Sequence, residues 1–504
     1  MSINIHEKLT TDVIKTLPYD YAKSEKCIFI QESVGYVLYI TQKISSCVFA
    51  EVLRYVAVPF QLKLCNLEEF NAFLTKHYNQ EDSTNVLSEE LSDSFDLQSF
   101  ANTIAPTQDL LSEQHDAPII KLINGVISQA IRKQVSDIHF EPYETQFVIR
   151  FRIDGILREV ITQDVRMSAP IISRLKILSR LDISERRLPQ DGRVSLSLGD
   201  KTVDVRVSSL PSSYGERIVL RILDKQATQI DIEQLGFATH LLSDYKQALK
   251  QSEGIILVTG PTGSGKTTTL YAGLNFLSDS SQNILTVEDP IEYTLNGIGQ
   301  TQVNQKVGYV FSKGLKAILR QDPDVVMVGE IRDEETARIA IQASLTGHLV
   351  LSTVHTNSAI GAITRLKDMQ IESFLLASSL KGIMAQRLVR RLCNCCKVSH
   401  KLTHAQAVYL NLKRSDSICK AKGCSVCDFT GYSGRIGLAE YIVIDDFLKG
   451  LIYDNASEKK ISEYAFKHRA CIEKNSIQTV VNGVTSFEEL LRLNVVSNDA
   501  DLSI

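Results

Sequence analysis

GIILVTGPTGSGKTTTLYAGL, residues 254–274, is the stretch that decides the fold of this chain. An apolar run ends at Thr259, the segment GPTGSGKT at 260–267 matches the pattern G-x-x-x-x-G-K-[ST], and a helix is predicted to start near Gly265. Glycines let backbone amides turn inward without a clash from Cβ, and those amides join the helix N-terminus in a pocket for an anion. The alternative is a glycine-rich turn that binds nothing, and the presence of strand, motif and helix together disfavours it.

The same motif predicts the residues that bind phosphate. We expect Lys266 to neutralise the β- and γ-phosphates of a nucleotide and Thr267 to offer its hydroxyl to Mg²⁺. The candidate nucleotide-binding residues are Gly260, Pro261, Thr262, Gly263, Ser264, Gly265, Lys266, Thr267 and Thr268. Kinases, GTPases, helicases and motors all share such a phosphate cradle, so other motifs must define the reaction.

Other short apolar runs, separated by helical stretches, predict a parallel sheet covered by helices. They are NILTVED at 283–289, DVVMVGE at 324–330 and LVLSTVH at 349–355. Glu288 and Glu330 end two of these runs, and ligands of such sheets bind outside the carboxyl ends of the strands. We therefore expect Glu330 to polarise the attacking water and Glu288 to help hold the Mg²⁺ shell, or the reverse. A solvated acid at a strand end is the plainer alternative for each.

Two histidines flank one of these runs. His355 ends it, where the imidazole could sense the γ-phosphate, and His348 begins it and lies at the other end. For both residues the alternative is a structural histidine whose hydrogen bonds are satisfied within the fold.

Arginines are frequent in an earlier region of alternating, strand-like sequence. The candidates there are Arg193, Arg206, Arg217 and Arg221. An arginine that reaches the γ-phosphate from another domain or subunit acts as a finger and raises the rate by several orders of magnitude. Ordinary surface ion pairing is the alternative for any one of them.

Length and composition predict several soluble domains. The 504 residues are too many for one core, and we divide them into residues 1–78, an acidic linker at 79–116 without Lys or Arg, an α+β middle domain at 117–235 and an α/β domain at 236–504. The net charge of −4 offers no basic footprint, so no nucleic-acid partner is expected. The chain shows neither the apolar core of a signal peptide nor a run of about 18 apolar residues, which favours a reducing cytosol.

Cysteine spacing predicts a metal site within residues 388–437. Two C-x-x-C pairs occur there, Cys393 with Cys396 and Cys424 with Cys427. In a reducing compartment such pairs are typical of a closed, structural zinc site with four thiolates. Whether Cys395 or Cys396 is the ligand is open, although the spacing favours Cys396. Reduced cysteines without a metal are the alternative.

Several motifs spread along the chain occur together in one known family. They are RLPQDGR, GERIVLRILDK, GPTGSGKTTTLY, TVEDPIEY, LRQDPDVVMVGEIRDEETA, LTGHLVLSTVHTN and AQRLVRRLC. This set closely resembles the bacterial secretion ATPases, the hexameric motors of type II secretion and of type IV pilus assembly. The resemblance extends from about residue 117 to 490 and is weaker over the first 80 residues.

The resemblance implies an architecture and a function. The fold would be a RecA-like P-loop NTPase domain with an α+β middle domain, a small α+β N-terminal docking domain and a zinc-binding insert. The cofactors would be ATP, Mg²⁺ and Zn²⁺. A cytoplasmic homo-hexamer would power protein export by type II secretion and reach the inner membrane only through a platform protein bound by its N-terminal domain. Type IV pilus assembly is the alternative, and a DNA-translocating ATPase is a more distant one.

The resemblance also implies residue roles. Glu288 and Glu330 fall in the acidic motifs of the family, His348 and His355 fall in its histidine motif, and Arg206 and Arg221 match middle-domain arginines expected to approach the γ-phosphate. This chain departs from the family at two places: Gln370 stands where glycine is usual, and HRACIEK at 468–474 replaces a glycine-methionine turn. Both departures concern the local shape of a loop.

Overall fold

The computed structural model describes residues 116–198, 201–224, 231–279 and 281–492, with parts of residues 17–73 and residues 97–98. The chain divides into two compact units, Met1–Phe151 with Arg158–Ile222, and Arg152–Leu157 with Leu223–Ile504. The predicted acidic linker lies almost wholly outside the described residues, and the division into four domains stays a prediction. Within the described part of the chain, no helix has the length and apolar character needed to cross a bilayer.

The N-terminal part of the first unit is a small α+β layer. Its elements are β1 (Cys27–Glu32), β2 (Gly35–Ile40), α1 (Ser46–Val56) and β3 (Phe60–Leu64). β1 runs antiparallel to β2, and β2 runs parallel to β3. Ile28, Leu38 and Val52 are buried together between the sheet and α1. β1 and β2, which are neighbours in the sequence, therefore form an antiparallel pair.

The rest of the first unit is built on a six-stranded sheet with the order β6-β5-β4-β9-β8-β7. Its elements are α2 (Asp116–Arg132), β4 (Asp137–Pro142), β5 (Gln146–Ile153), β6 (Ile156–Asp164), α3 (Ser168–Leu178), β7 (Gln190–Leu198), β8 (Lys201–Ser212) and β9 (Gly215–Asp224). β7 and β8 pair antiparallel. Val203, Val205 and Val207 alternate along β8 and are all buried, so the alternation in the sequence marks one face of this sheet.

The second unit is a seven-stranded sheet covered by helices. Its first elements are α4 (Thr239–Leu249), β10 (Gly254–Thr259), α5 (Lys266–Leu277), β11 (Ile284–Glu288), β12 (Gly299–Gln302), α6 (Phe311–Ile318), β13 (Val325–Val328), α7 (Glu334–Leu345), β14 (Leu349–Val354), α8 (Ala359–Asp368), α9 (Ser373–Ser379) and β15 (Leu380–Leu392). The later elements are β16 (Val398–Lys401), α10 (His404–Leu410), β17 (Ser417–Lys420), β18 (Tyr432–Val443), α11 (Asp446–Tyr453), α12 (Glu458–Ala465), α13 (Ile472–Val481) and α14 (Phe487–Arg492).

The strand order of the seven-stranded sheet is β12-β11-β13-β14-β10-β15-β18. The first six strands are parallel, and β18 at the edge runs antiparallel to β15. β10 shows why the sheet carries helices on both faces: Ile255 and Leu257 join the core on one face, while Ile256 and Val258 join the core that includes α4 and α5. The prediction of an α/β fold is confirmed.

The connection between β15 and β18 holds the cysteine-rich insert. β16 and β17 form a separate two-stranded antiparallel sheet there. Leu402, Leu410 and Ile418 of the insert pack against residues of α13 and α14, among them Val480 and Leu490. The insert therefore shares a small apolar core with the C-terminal helices.

The two departures from the family pattern have visible structural counterparts. Gln370 follows α8 with a φ of +60°, the left-handed conformation that glycine adopts most easily, and its amide donates to Lys367 O at 2.9 Å. The segment HRACIEK leads into α13, whose first amide, at Ile472, donates to Glu440 Oε2 at 3.0 Å.

Candidate functional site

The loop between β10 and α5 has a backbone conformation that favours glycine at three positions. Gly260, Gly263 and Gly265 have φ values of +146°, +77° and +89°. A Cβ at Gly260 would lie 2.4 Å from the Gln386 carbonyl oxygen and 2.6 Å from Ser264 Oγ. The loop therefore turns sharply and packs closely against β15, with α5 beginning at Lys266 as predicted from the sequence.

The groups around this loop fit a polyphosphate. Gly265 precedes α5 and no side chain caps its first turn, so amides there are available to an anion. Lys266 Nζ donates to the carbonyl oxygens of Gly260 at 2.8 Å and Pro261 at 3.2 Å. Burial lowers the pKa of Lys266, and the nearby Glu330 carboxylate opposes that shift. Ser264 Oγ is buried with no hydrogen-bond partner among the described residues, and Thr267 is exposed.

Glu330 and His355 lie together at the carboxyl ends of β13 and β14. His355 Nε2 is 3.3 Å from Glu330 Oε2, and Arg332 Nη2 is 2.5 Å from Glu330 Oε1. The Glu330 carboxylate also raises the pKa of Lys266, so these two charged groups lie near each other. The ammonium of Lys266, the carboxylate of Glu330 and the imidazole of His355 therefore share one edge of the sheet, after β10, β13 and β14. The sequence patterns give no indication of Arg332.

Glu288 is held in a different environment from Glu330. Its side chain is 3% exposed and accepts hydrogen bonds from Tyr271, from Thr286 Oγ1 at 2.6 Å and from Gln300 Nε2 at 3.1 Å. Burial raises the pKa of Glu288, although these donors lower it in part. Tyr271 belongs to α5, so this buried network joins the helix behind the phosphate loop to the end of β11.

His348 lies at the start of β14, at the opposite end from His355. Its Nδ1 is 3.0 Å from Ala343 O, and its own carbonyl accepts from the amide of Gly254 at 3.1 Å. The sequence prediction that the two histidines occupy opposite strand ends is confirmed.

The four candidate arginines all belong to the first unit. Arg206 lies directly opposite Arg193 in the β7–β8 ladder. Arg221 Nε donates to Asp137 Oδ1 at 2.9 Å, and Arg217 forms an ion pair with buried Glu141.

Gln386 and Thr356 are close to the loop and were not predicted. Gln386 on β15 donates to Ser264 O at 2.7 Å, and Thr356 N donates to Thr259 Oγ1 at 2.9 Å. The only signal for Gln386 in the sequence is an amide inside the apolar run IMAQRLV.

The four predicted cysteines form one cluster, with sulfur atoms all within 4.8 Å of one another: Cys393, Cys396, Cys424 and Cys427. Cys395 is exposed and is not a member, so Cys396 is the one that belongs to the cluster, as its spacing indicates.

Two thiols of the cluster differ in their electrostatics, because burial raises the pKa of Cys396 to about 12 whereas Cys427 shifts the other way. Burial raises the pKa of the Cys427 thiol, but the amides of Cys424 and Gly431, each 3.2 Å from its sulfur, outweigh burial and lower the pKa to about 6. Backbone donors of this kind stabilise a thiolate, and a set of four sulfur ligands is typical of zinc.

Comparison with known proteins identifies relatives along nearly the whole chain. The family model described as "Type II/IV secretion system protein" matches residues 112–492, and a domain model of "GSPII protein E" matches residues 16–78. The type II secretion system protein E of Pseudomonas aeruginosa is 48% identical over 482 residues, which cover 95% of this chain and 96% of that protein. The type II secretion system ATPase E of Vibrio cholerae is 47% identical over 490 residues, covering 95% of this chain and 97% of that protein.

Two solved structures share the fold. The ATPase DotB of Legionella pneumophila aligns with a TM-score of 0.55 at 19% identity, over 77% of this chain and 97% of that chain. The pilus retraction motor PilT with bound ADP aligns with a TM-score of 0.50 at 24% identity, over 75% of this chain and 98% of that chain. Because the family model spans residues 112–492 and both sequence relatives align over 95% of the chain, this protein belongs to the type II/IV secretion system protein family.

Proposed function

We propose that the chain is an ATPase motor that hydrolyses ATP to power protein export by a type II secretion system. The observation that supports this most directly is the convergence of Lys266, Glu330 and His355 at the ends of β10, β13 and β14, beside a glycine loop that opens a helix. This arrangement supplies a phosphate cradle and a positioned carboxylate, the two parts that hydrolysis of a phosphoanhydride needs.

The roles of the residues follow from their positions. Loop amides and Lys266 hold the phosphates. The exposed Thr267 hydroxyl would help hold Mg²⁺, and that ion would supply positive charge to neutralise the phosphates. Glu330 orients the attacking water and accepts its proton, with His355 beside its carboxylate near the γ-phosphate. Glu288 would help hold the Mg²⁺ shell, or would exchange roles with Glu330.

Arginines of the first unit complete the site in this proposal. Arg206 and Arg221 approach the γ-phosphate from the same chain or from a neighbour in a homo-hexamer. The side chain of Arg221 is 55% exposed although Asp137 holds its Nε, so its remaining guanidinium nitrogens are available to a phosphate oxygen. The expected signature is weak hydrolysis by the monomer that rises on assembly.

Zinc is the metal we propose for the four-cysteine cluster. The support is the set of sulfurs within 4.8 Å, with two backbone amides directed at one of them. Metal analysis of the purified chain should give about one zinc per chain, and Cys424→Ser should lose it while Cys395→Ser, which alters an exposed thiol outside the cluster, should retain it. Equal zinc content in both variants would contradict the assignment.

The partner and location are also proposals. Residues 16–78 match the domain model of GSPII protein E, which supports docking of this part to a secretion platform at the cytoplasmic face of the inner membrane. Immobilised full-length chain should capture a platform protein of type II secretion from detergent-solubilised membranes. Capture of a pilus platform protein instead would favour type IV pilus assembly.

Hydrolysis itself is tested with the purified full-length chain. Release of phosphate from ATP should depend on Mg²⁺ and should disappear in Lys266→Ala. Lys250→Ala, which removes an ammonium from the exposed end of α4, is the matched control and should keep the wild-type rate. Wild-type turnover in Lys266→Ala would refute the proposed site. An increase in the ATPase rate of the wild-type chain when DNA is added would favour a DNA-translocating ATPase.

A further inference from the structure

We propose that Gln386 is a positioning residue of the phosphate loop, whose side-chain amide holds Ser264 and Thr269 in the arrangement that binds nucleotide. The proposal rests on the proposed function of the loop. Gln386 belongs to AQRLVRRLC, one of the motifs that this chain shares with the secretion ATPases. No residue of this motif has a role in the mechanism proposed above, and the present proposal gives it one.

Gln386 reaches the loop because β15 lies beside β10. The two strands are parallel, with Thr259 at the end of β10 paired to Ala385, so the next residue of β15 lies level with the start of the loop. The Gln386 side chain is 2% exposed, and both of its polar atoms are used: Nε2 donates to Ser264 O at 2.7 Å and Oε1 accepts from Thr269 Oγ1 at 2.8 Å. A carbonyl oxygen can only accept a hydrogen bond, so the amide has a single productive orientation.

This contact fixes the direction of a loop amide. A trans peptide group is planar, and its C=O and N–H point in opposite directions. When Gln386 holds the Ser264 carbonyl toward β15, the N–H of Gly265 in the same peptide group must point away from β15. Gly265 is the residue that precedes α5, so its amide is one of those that an anion at the helix N-terminus would use.

The second hydrogen bond anchors the same arrangement to the first turns of α5. Thr269 is 1% exposed, and its amide donates to Gly265 O at 3.0 Å. Gln386 therefore bridges the loop and the helix that follows it. Without Gln386, the buried Ser264 carbonyl loses this donor and the buried Thr269 hydroxyl loses its acceptor, which favours a rearrangement of the loop.

The backbone of the loop packs closely against Gln386. A Cβ at Gly260 would lie 2.4 Å from the Gln386 carbonyl oxygen, and one at Gly265 would lie 3.1 Å from Gln386 Nε2. The loop backbone thus lies directly against both the main-chain oxygen and the side-chain amide of Gln386. Gln386 acts through the loop and does not itself contact the nucleotide, because both of its polar atoms bond to protein.

The test uses the full-length chain and a fluorescent ATP analogue. Gln386→Met keeps the length of the side chain and removes both hydrogen bonds, and we expect the Kd of the analogue to rise about tenfold. Thr269→Val removes one bond and should raise Kd about threefold, whereas Thr269→Ser keeps the hydroxyl and should bind as wild type does. The Thr269 variants test the proposal independently if Gln386→Met folds poorly.

Val389→Ala is the matched control because Val389 is fully buried on the same strand in a different apolar cluster. It should lower Tm without changing Kd. The proposal is overturned if Gln386→Met binds within twofold of wild type, or if Val389→Ala weakens binding as much as Gln386→Met does. A wild-type chain that does not bind the analogue would refute the nucleotide site itself and this proposal with it.

Discussion

Replacing Glu330 by glutamine should stop ATP turnover while leaving the fold nearly unchanged. The amide has the shape of the carboxylate and keeps one accepting oxygen, but it cannot take a proton from water. In the present structure the carboxylate is paired with Arg332 at 2.5 Å and with His355 at 3.3 Å. One of these two contacts can persist in the variant through the remaining oxygen.

The two energetic consequences differ in size. The side chains of Arg332 and His355 are 65% and 48% exposed, so water can take the place of a contact that is lost, at a cost of about 0–1 kcal/mol. Loss of a general base lowers a rate by about 10²- to 10⁴-fold, which corresponds to roughly 3–5 kcal/mol in the activation barrier. Loss of the carboxylate charge also removes a group that raises the pKa of Lys266.

The assay compares three quantities in one set of proteins: kcat for ATP, Kd for a fluorescent ATP analogue, and Tm. Glu334→Gln removes the same charge from an exposed position on α7, where it pairs with Arg338, and should match wild type in all three. Wild-type turnover by Glu330→Gln would refute the assignment of the base. Turnover lost in Glu288→Gln but kept in Glu330→Gln would show that the two acids have the exchanged roles.

Three further changes test other parts of the site and fold. Arg221→Ala should lower kcat at least tenfold with little change in Kd if its guanidinium contacts only the transition state, and an unchanged kcat would exclude it as a finger. Burial raises the pKa of Glu141, but Arg150 and Arg217 more than offset this and lower it from 4.5 to about 2. The Glu141 carboxylate therefore stabilises the first unit above about pH 4.5, and this stabilisation is lost as the pH falls toward 2. When Tm is measured between pH 4.5 and pH 2, it should fall less steeply in Glu141→Gln than in wild type. Gly260→Ala should abolish binding of the ATP analogue, because its methyl would lie 2.4 Å from a backbone carbonyl; binding at the wild-type Kd would contradict the close approach of loop and β15.

The sequence predicted those parts of the site that follow from local pattern and sheet geometry. Lys266, Glu330 and His355 each follow a short apolar run, and parallel strands with alternating helices bring their carboxyl ends to one edge. The four cysteines were predicted because C-x-x-C spacing presents two thiols together in each pair, so only the meeting of the two pairs depended on the fold.

The sequence could not predict features that depend on non-local pairing. Nothing near Gln386 indicates that β15 adds beside β10, more than a hundred residues earlier in the chain, so its contact with the phosphate loop was missed. The position of Glu288 at the end of an apolar run was predicted, but its burial was not, since the three donors around it come from α5, β11 and β12.

The histidine motif shows that residues close together in a sequence can be remote in function. The strand between His348 and His355 has six residues, which at about 3.3 Å per residue separates its ends by roughly 20 Å. A nucleotide that touches His355 is therefore out of reach of His348, which instead joins the end of α7 to the start of β10. A substitution at His348 should therefore change the stability of the sheet, whereas a substitution at His355 should change the rate of hydrolysis.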